Sequence, residues 1–162
     1  MVEESYVTYV MFNIVLVHPE IPHNTGAAGR LALATGARLH LVKPLGFSID
    51  EKTVKRAGLD YWKEVDLVVW ESWEEFEASV TDVKRMFLLT TKASKAHWDA
   101  EFQHGDYLLF GRETRGLSEE LIESHQDTAI KIPMEEGSTR SLNLATAVGI
   151  VLYEGVRQLS TQ

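Results

Sequence analysis

Short apolar runs alternate along the chain with helix-like segments, and this alternation is the strongest constraint on the fold. Runs of apolar residues in which β-branched side chains are frequent are typical of parallel strands that are buried on both faces. Such strands are predicted at 12–17, 38–42, 67–70, 85–90, 107–110 and 129–133, and helices at 26–35, 50–57, 72–79, 118–125 and 142–158. The sequence therefore predicts a single-domain α/β fold, with a mostly parallel sheet flanked by helices.

Two of these helices carry site predictions. Asn24 or Thr25 is expected to cap the first helix, which would begin at about Gly26 and end at Gly36. Arg30 would then lie about one and a half turns from an N-terminus that favours anions. In the last helix, one stripe is predicted to face the core (Ala145, Val148, Leu152, Val156 and Leu159). A second stripe is either a solvated face or a subunit or substrate contact (Asn143, Thr146, Ile150, Tyr153 and Arg157).

Composition excludes several classes of protein. The chain has no cysteine, which removes disulfides, iron–sulfur clusters and a thiol nucleophile, and its six histidines lack metal-ligand spacing, so no metal is expected. A formal net charge of −8 argues against binding nucleic acid through bulk charge. The sequence contains no membrane-spanning apolar run. Residues 1–10 lack the features of a secretory signal and are interpreted as an extension that precedes a cytoplasmic domain at 11–160.

Three polar segments that contain glycine follow predicted strands, at 24–30, 110–117 and 132–144. Ligands of open α/β sheets bind beyond the carboxyl ends of the strands, so these segments are candidates for one site. Capped helix starts and ordinary turns are the alternative interpretation. Lys52, Lys55 and Arg56, with Tyr61 nearby, form a local basic cluster that suits phosphate contact and base stacking. A solvated helix face followed by an aromatic hinge explains the cluster equally well.

Taken in order, short motifs at 22–26, 56–62, 89–92, 106–117, 132–134 and 140–144 resemble those of the SPOUT class of RNA methyltransferases. They include Asn24-Thr25-Gly26 and the stretch from Arg140 to Leu144. The resemblance covers residues 11 to about 159. It is closest to small stand-alone members that methylate the ribose 2′-oxygen of the wobble nucleotide, cytidine or modified uridine, in transfer RNA.

The resemblance implies a deep C-terminal trefoil knot, S-adenosylmethionine as cofactor, the tRNA anticodon stem-loop as substrate, and a homodimer with active sites at the subunit interface. It implies catalytic roles for Arg30, Asn24, Glu113, Ser141 and Asn143. The cofactor-binding candidates are Leu89, Thr90, Thr91, Gly111, Ile132, Met134, Ser141, Leu142 and Asn143. The RNA-binding candidates are Arg30, Lys52, Lys55, Arg56, Tyr61, Arg115, Arg140, Tyr153 and Arg157.

The chain departs from the family pattern at three places. Ala27 replaces a common Asn, Gly29 stands where a larger apolar residue is usual, and the acidic loop at 135–139 is longer. These differences concern substrate preference more than the cofactor. Two other interpretations remain: a related enzyme that acts on ribosomal RNA or another tRNA position, and a non-catalytic dimeric RNA-binding module.

Overall fold

The computed structural model describes residues 10–50, 52, 56 and 60–160. In this part of the chain, six strands form one sheet in the order β3-β2-β1-β5-β4-β6, and every neighbouring pair is parallel. Their bounds are β1 (Phe12–Val17), β2 (Arg38–Val42), β3 (Leu67–Trp70), β4 (Met86–Leu89), β5 (Asp106–Phe110) and β6 (Ala129–Ile130). The predicted α/β class and parallel sheet are confirmed.

The strand order reverses between β1 and β5. From β1 the chain moves outward through β2 to β3, and β4 then starts the other half of the sheet. Loops that leave β1 and β5 therefore diverge at the carboxyl edge, which opens a crevice where α/β sheets bind ligands.

Helices cover both faces of the sheet. They are α1 (Pro22–Thr35), α2 (Trp73–Ser79), α3 (Glu119–Ser124) and α4 (Leu144–Ser160). Phe12 and Ile14 of β1 belong to the core beneath α1 and α4. Val15 and Val17 alternate to the opposite face, where they join Phe76 of α2 in the second core.

Helix α4 approaches β1 very closely. A Cβ on Gly155 would lie only 2.4 Å from Cζ of Phe12, so the absence of a side chain at this position permits the contact. This close packing brings the N-terminal end of α4 to the carboxyl edge of the sheet, where the predicted site lies.

Strand boundaries differ from the predictions at the second half of the sheet. β4 spans Met86–Leu89 rather than 85–90, because Arg85 turns to pair with the buried Asp106. β6 ends at Ile130 rather than 133, although Lys131 still forms an isolated bridge with Ala96. The shorter β6 frees the backbone that follows it to enter the crevice.

The start of α1 is the main correction among the helices. The helix begins at Pro22 and its N-cap is Ile21, without a side-chain cap, so the prediction of Asn24 or Thr25 as cap is wrong. Proline is well tolerated at the first helical position because its missing N–H has no helical partner there. Arg30 therefore lies about two turns into the helix and beyond the influence of its N-terminus. Gly36 does end the helix, with a φ of 69°.

Other helix predictions are confirmed in part. Ser72 and Ser118 cap α2 and α3 through hydrogen bonds to backbone N–H groups, as their positions predict. α4 begins at Leu144 rather than 142, and its buried face is rotated from the predicted stripe, so that Ala145 and Val156 are only half-buried. The predicted helix at 50–57 falls mostly outside the described residues, but Lys52 and Arg56 are helical and exposed.

Candidate functional site

The Glu113 carboxylate bridges the loops that follow β1 and β5, which diverge at the switch point, where the strand order reverses. Its Oε2 accepts the backbone N–H of Glu20 at 2.8 Å, and its Oε1 accepts that of Ile21 at 3.1 Å. The side-chain amide of Asn24 also donates to Oε1, at 3.4 Å. Because N–H donors occupy both oxygens, Glu113 fixes the geometry of the two loops.

A second pair of hydrogen bonds runs in the opposite direction between the same loops. Oε1 of Glu20 accepts the backbone N–H of Thr114 at 3.1 Å and the Thr114 hydroxyl at 2.7 Å. These bonds, the side-chain one first, lower the pKa of Glu20 below its ordinary value. Each loop thus supplies a carboxylate to the backbone of the other. We call this reciprocal arrangement of Glu20, Ile21, Glu113 and Thr114 the loop clamp.

Two asparagines extend the loop clamp to the last helix. The amide of Asn143 donates to Oδ1 of Asn24 at 3.1 Å, while Oδ1 of Asn143 accepts the backbone N–H of Thr146 at 3.2 Å. Asn143 therefore caps α4 and at the same time fixes its start against α1. Three segments that are far apart in sequence are joined by this network.

The loop that follows β5 depends on two glycines. A Cβ on Gly111 would lie 2.0 Å from the carbonyl carbon of Gly116, so a side chain there would displace the backbone. Gly116 has a φ of +66° and donates its N–H to the carbonyl of Arg112 at 2.8 Å. Glycine adopts this left-handed conformation without steric cost. The tight turn carries Glu113 and Thr114 toward the neighbouring loop.

A cavity of about 480 Å³ lies beside the loop clamp at the carboxyl edge of the sheet. All the cofactor-binding candidates line it: Leu89, Thr90, Thr91, Gly111, Ile132, Met134, Ser141, Leu142 and Asn143. Asn24, Glu113 and Arg115 also line the wall. The lining combines apolar side chains with hydroxyl, amide and guanidinium groups. The structure therefore brings together three segments that the sequence singled out separately.

Arg30 is not among the cavity-lining residues. Its side chain is exposed, and its guanidinium carbon lies 5.7 Å from the centre of the Tyr61 ring. The Tyr61 side chain is half-buried, and its hydroxyl donates to the carbonyl of Gly26 at 2.8 Å. Tyr61 is therefore attached to α1, which fits the aromatic-hinge interpretation better than a ring that is free to stack on a base.

The departure at Gly29 has a structural explanation. A Cβ at this position would lie 2.7 Å from Cζ3 of Trp62. The indole ring thus occupies the space of the larger side chain that is usual here. Ala27 is half-buried, and nothing in the structure explains its replacement of the common Asn.

Three of the remaining RNA-binding candidates lie on the surface. Arg140 is exposed near the cavity, and Tyr153 is 48% exposed on α4. Arg157 is also exposed but forms a two-bond ion pair with Glu154, at 2.9 and 2.8 Å. Lys55 lies outside the described residues.

Sequence reasoning missed Glu20 and Thr114. The available signal was a charged residue between two prolines, Pro19 and Pro22, directly after a buried strand. A polar group held by rigid backbone at a strand end is well placed to organise a site. Its partner could not be identified, because Thr114 lies 94 positions away in the chain.

In the residues that the structure covers, no group of three or more His, Asp or Glu side chains is placed to hold a metal ion. None of the helices in the same part of the chain has both the length and the apolar character that crossing a bilayer requires.

A parallel sheet covered on both faces, with a cavity of mixed polar and apolar lining at its switch point, is typical of ligand-binding proteins of the doubly wound α/β class. Residues 11–153 match the SpoU rRNA Methylase family, and the chain belongs to that family. The resemblance seen in the sequence motifs is thereby confirmed.

Two relatives are similar over nearly their whole length. A protein from Methylovorus glucosotrophus (strain SIP3-4), named tRNA (cytidine(34)-2'-O)-methyltransferase, is 50% identical over 149 residues, 91% of this chain and 96% of that protein. A solved structure described as "Structural insights into the 2-OH methylation of C/U34 on tRNA" has a TM-score of 0.86 and 45% identity. The match covers 94% of this chain and 98% of that one.

A more distant relative was solved with a ligand. The SpoU methyltransferase AviRb from Streptomyces viridochromogenes, in complex with the cofactor AdoMet, has a TM-score of 0.78 and 30% identity. The match covers 96% of this chain and 60% of that one.

Proposed function

We propose that this chain transfers a methyl group from S-adenosylmethionine to the ribose 2′-hydroxyl of the wobble nucleotide, cytidine or modified uridine, of tRNA. The observation that carries the proposal is the cavity at the β1/β5 switch point. There the residues that the family resemblance assigns to the cofactor meet from separate segments of the chain. The similar proteins named for methylation at position 34 support the substrate.

The cavity fits the chemistry of S-adenosylmethionine. Its volume of about 480 Å³ lies within the range of pockets that hold ligands of this size. Leu89, Ile132 and Leu142 supply apolar surface that suits an adenine ring, while Thr90 and Thr91 supply hydroxyl groups. When bound, the cofactor supplies an electrophilic methyl carbon on a sulfonium, and this chemistry requires no metal.

The chain's own residues would contribute mainly by positioning. In-line displacement gains most from alignment of the attacking oxygen, the methyl carbon and the leaving sulfur. The loop clamp and the Asn24–Asn143 pair hold three walls of the cavity at fixed positions. Ser141 adds a hydroxyl to the cavity wall.

Arg30 would act on the ribose or on a neighbouring phosphate. A guanidinium carries N–H donors and no acceptor, so it is a poor proton acceptor. Arg30 would therefore either act on the 2′-hydroxyl proton through a nearby phosphate or act mainly by electrostatic positioning. Arg115 at the cavity wall and Arg140 near it would contact the RNA backbone, together with Lys52, Lys55 and Arg56.

We also propose a homodimer with active sites at the subunit interface. Arg30 does not line the cavity of its own chain, so an interface site would let Arg30 of one subunit reach the cavity of the other. Ile150 and Tyr153 on α4, and Leu33 on α1, are exposed apolar side chains on two helices that pack together. Tyr153→Ala is expected to weaken dimerisation in sedimentation analysis. An unchanged monomer–dimer equilibrium together with unchanged turnover would place Tyr153 on a solvated face.

Three further features belong to this proposal and rest on the family resemblance or the sequence. They are a deep trefoil knot in the C-terminal part of the fold, a cytoplasmic location, and an extension at 1–10 that precedes a methyltransferase domain at 11–160. Residues 1–9 lie outside the described residues.

The decisive experiment is transfer of a tritiated methyl group to total tRNA that lacks wobble 2′-O-methylation, followed by mapping of the modified nucleoside. Label on the ribose of nucleotide 34 is expected. Label on a base nitrogen or on another tRNA position would overturn the assignment, and so would label on ribosomal RNA alone when a parallel reaction offers that substrate. Calorimetry with S-adenosylmethionine distinguishes the non-catalytic alternative, since binding without transfer would indicate an RNA-binding or sensing module.

Arg30→Ala tests the catalytic role of Arg30. The control is Lys84→Ala, which also removes one exposed cation but lies near the amino end of β4, at the edge of the sheet opposite the cavity. We expect Arg30→Ala to lower turnover while leaving S-adenosylmethionine binding intact. Equal turnover in the two variants would remove Arg30 from the mechanism.

A further inference from the structure

We propose that Tyr61 is a positioning residue that fixes the Arg30 side chain for methyl transfer. The proposal rests on the function proposed above, because that function gives Arg30 its role. The sequence offers Tyr61 either as a candidate for stacking on RNA or as part of an aromatic hinge. Its contacts in the structure are instead made with helix α1.

The first contact is made by the ring. The guanidinium carbon of Arg30 lies 5.7 Å from the centroid of the Tyr61 ring, within the range of a cation–π interaction. In residues 10–50 and 60–160, Arg30 forms no ion pair. The aromatic face of Tyr61 is thus a contact that restricts where the guanidinium can lie.

The second contact is made by the hydroxyl. Tyr61 Oη donates to the carbonyl oxygen of Gly26 at 2.8 Å. In the α-helical hydrogen-bond pattern, the same carbonyl accepts the backbone N–H of Arg30, four residues later. The phenol is therefore bonded to the turn of helix from which Arg30 projects.

Two further observations support this arrangement. Burial raises the pKa of the Tyr61 hydroxyl despite the opposing charge of Arg30, so it stays protonated at neutral pH and remains a donor. The adjacent Trp62 packs against Gly29, where a Cβ would come within 2.7 Å of the indole. The 61–62 dipeptide consequently rests on the 26–30 turn through three contacts.

A long arginine side chain loses considerable rotamer freedom when it is held in one position. By restricting Arg30 before RNA binds, Tyr61 would lower the entropic cost of holding the guanidinium where it contacts the transition state. Such a role predicts an effect on kcat and not on S-adenosylmethionine affinity.

The test measures turnover and KM for tRNA in Tyr61→Phe and Tyr61→Leu, each with Arg30 present and with Arg30→Ala. Tyr61→Phe keeps the ring and is expected to lower kcat by about threefold, as expected for one lost hydrogen bond. Tyr61→Leu also removes the cation–π contact and is expected to lower kcat by about tenfold. The S-adenosylmethionine Kd should remain unchanged. With Arg30→Ala, neither substitution should lower kcat further.

Tyr107→Phe is the matched control, since Tyr107 is also half-buried but packs in the aromatic cluster on the opposite face of the sheet. It should leave kcat unchanged. An equal loss from Tyr61→Leu with and without Arg30 would overturn the proposal, because Tyr61 would then act independently of Arg30.

A measurement that needs no activity separates this proposal from the proposed function. Nitrogen-15 relaxation of the Arg30 Nε–H should report greater mobility in Tyr61→Leu than in the wild type, and no change in Tyr107→Phe. Unchanged Arg30 mobility in Tyr61→Leu would refute positioning. Absence of methyl transfer by the wild-type protein would refute the proposed function, while the relaxation data would still decide whether Tyr61 restrains Arg30.

Discussion

Acidification is expected to destabilise the protein through His40, which is buried in the core on the α2 side of the sheet. Its side chain is 4% exposed and accepts the indole N–H of Trp70 at Nδ1, at 3.0 Å. Since an indole nitrogen can only donate, the ring proton must be on Nε2, which donates to Oδ1 of Asn13 at 2.8 Å. Protonation at Nδ1 would therefore place its N–H against the indole N–H of Trp70, so that two donors face each other. It would also place a positive charge in the core.

Burial is the main reason that the pKa of His40 falls from 6.5 to about 4, and the nearby charge of Arg38 adds to the shift. Between these two values the unfolded chain binds a proton that the folded chain excludes. The stabilising contribution is fully present above pH 6.5 and is lost as the pH falls toward 4. The difference corresponds to a loss of about 3 kcal/mol in total, of which about 2 kcal/mol is already lost at pH 5.

Urea unfolding at pH 7.5 and pH 5.0, followed by circular dichroism, measures this loss. His40→Gln is the comparison, because its amide can accept from Trp70 and donate to Asn13 without titrating. Carboxylates contribute equally to the pH dependence of both proteins, so the wild type should lose about 2 kcal/mol more than the variant. Equal losses in the two proteins would mean that the folded protein does not exclude the proton, and would refute the reasoning.

Three further substitutions have predictable effects. Gly111→Ala should abolish detectable S-adenosylmethionine binding in calorimetry and lower the free energy of unfolding by about 1–3 kcal/mol, because the new Cβ would overlap the Gly116 backbone. The control is Gly149→Ala, whose Cβ would meet nothing closer than 3.6 Å and which should bind S-adenosylmethionine normally. Asp106→Asn should cost about 2 kcal/mol in urea unfolding, because it weakens the charged pair between the buried Asp106 carboxylate and the partly exposed Arg85 guanidinium, whose two hydrogen bonds measure 2.7 and 2.6 Å; a loss below 1 kcal/mol would contradict this. Glu113→Gln should lower the free energy of unfolding by about 1–3 kcal/mol and weaken S-adenosylmethionine binding, since the new amide N–H would face a backbone N–H. Unchanged affinity would mean that the loop clamp does not determine the shape of the cavity.

The first three strands could be predicted because their signal is local. β1, β2 and β3 coincide with the predicted runs at 12–17, 38–42 and 67–70, because apolar side chains predominate in each run. The start of α1 could not be predicted in this way. Asn24 is of a residue type that is common at helix N-caps, but its side chain forms hydrogen bonds with Glu113 and Asn143 instead. Such long-range hydrogen bonds leave no local pattern in the sequence.

The sequence predicted which segments form the site but not which residues of those segments contact one another. Glycine-bearing segments at strand ends indicated where a ligand would bind, and those segments do meet around the cavity. The role of Glu20 depends on Thr114, and the contact of Tyr61 depends on a turn 35 positions earlier. Pairings of this kind follow from topology, which the spacing of residues along the chain does not encode.

The hydrogen bond between Asn143 and Asn24 has a consequence for the order of folding. The two residues are 119 positions apart, and the bond joins the first helix to the start of the last. The cavity wall at 141–144 is therefore absent until nearly the whole chain has been synthesised and α4 has packed on β1. Contacts of such long sequence separation form slowly. A nascent chain that has completed β1 to β5 would hold most of the sheet but only part of the binding site, so the capacity to bind a ligand would appear as one of the last steps of folding.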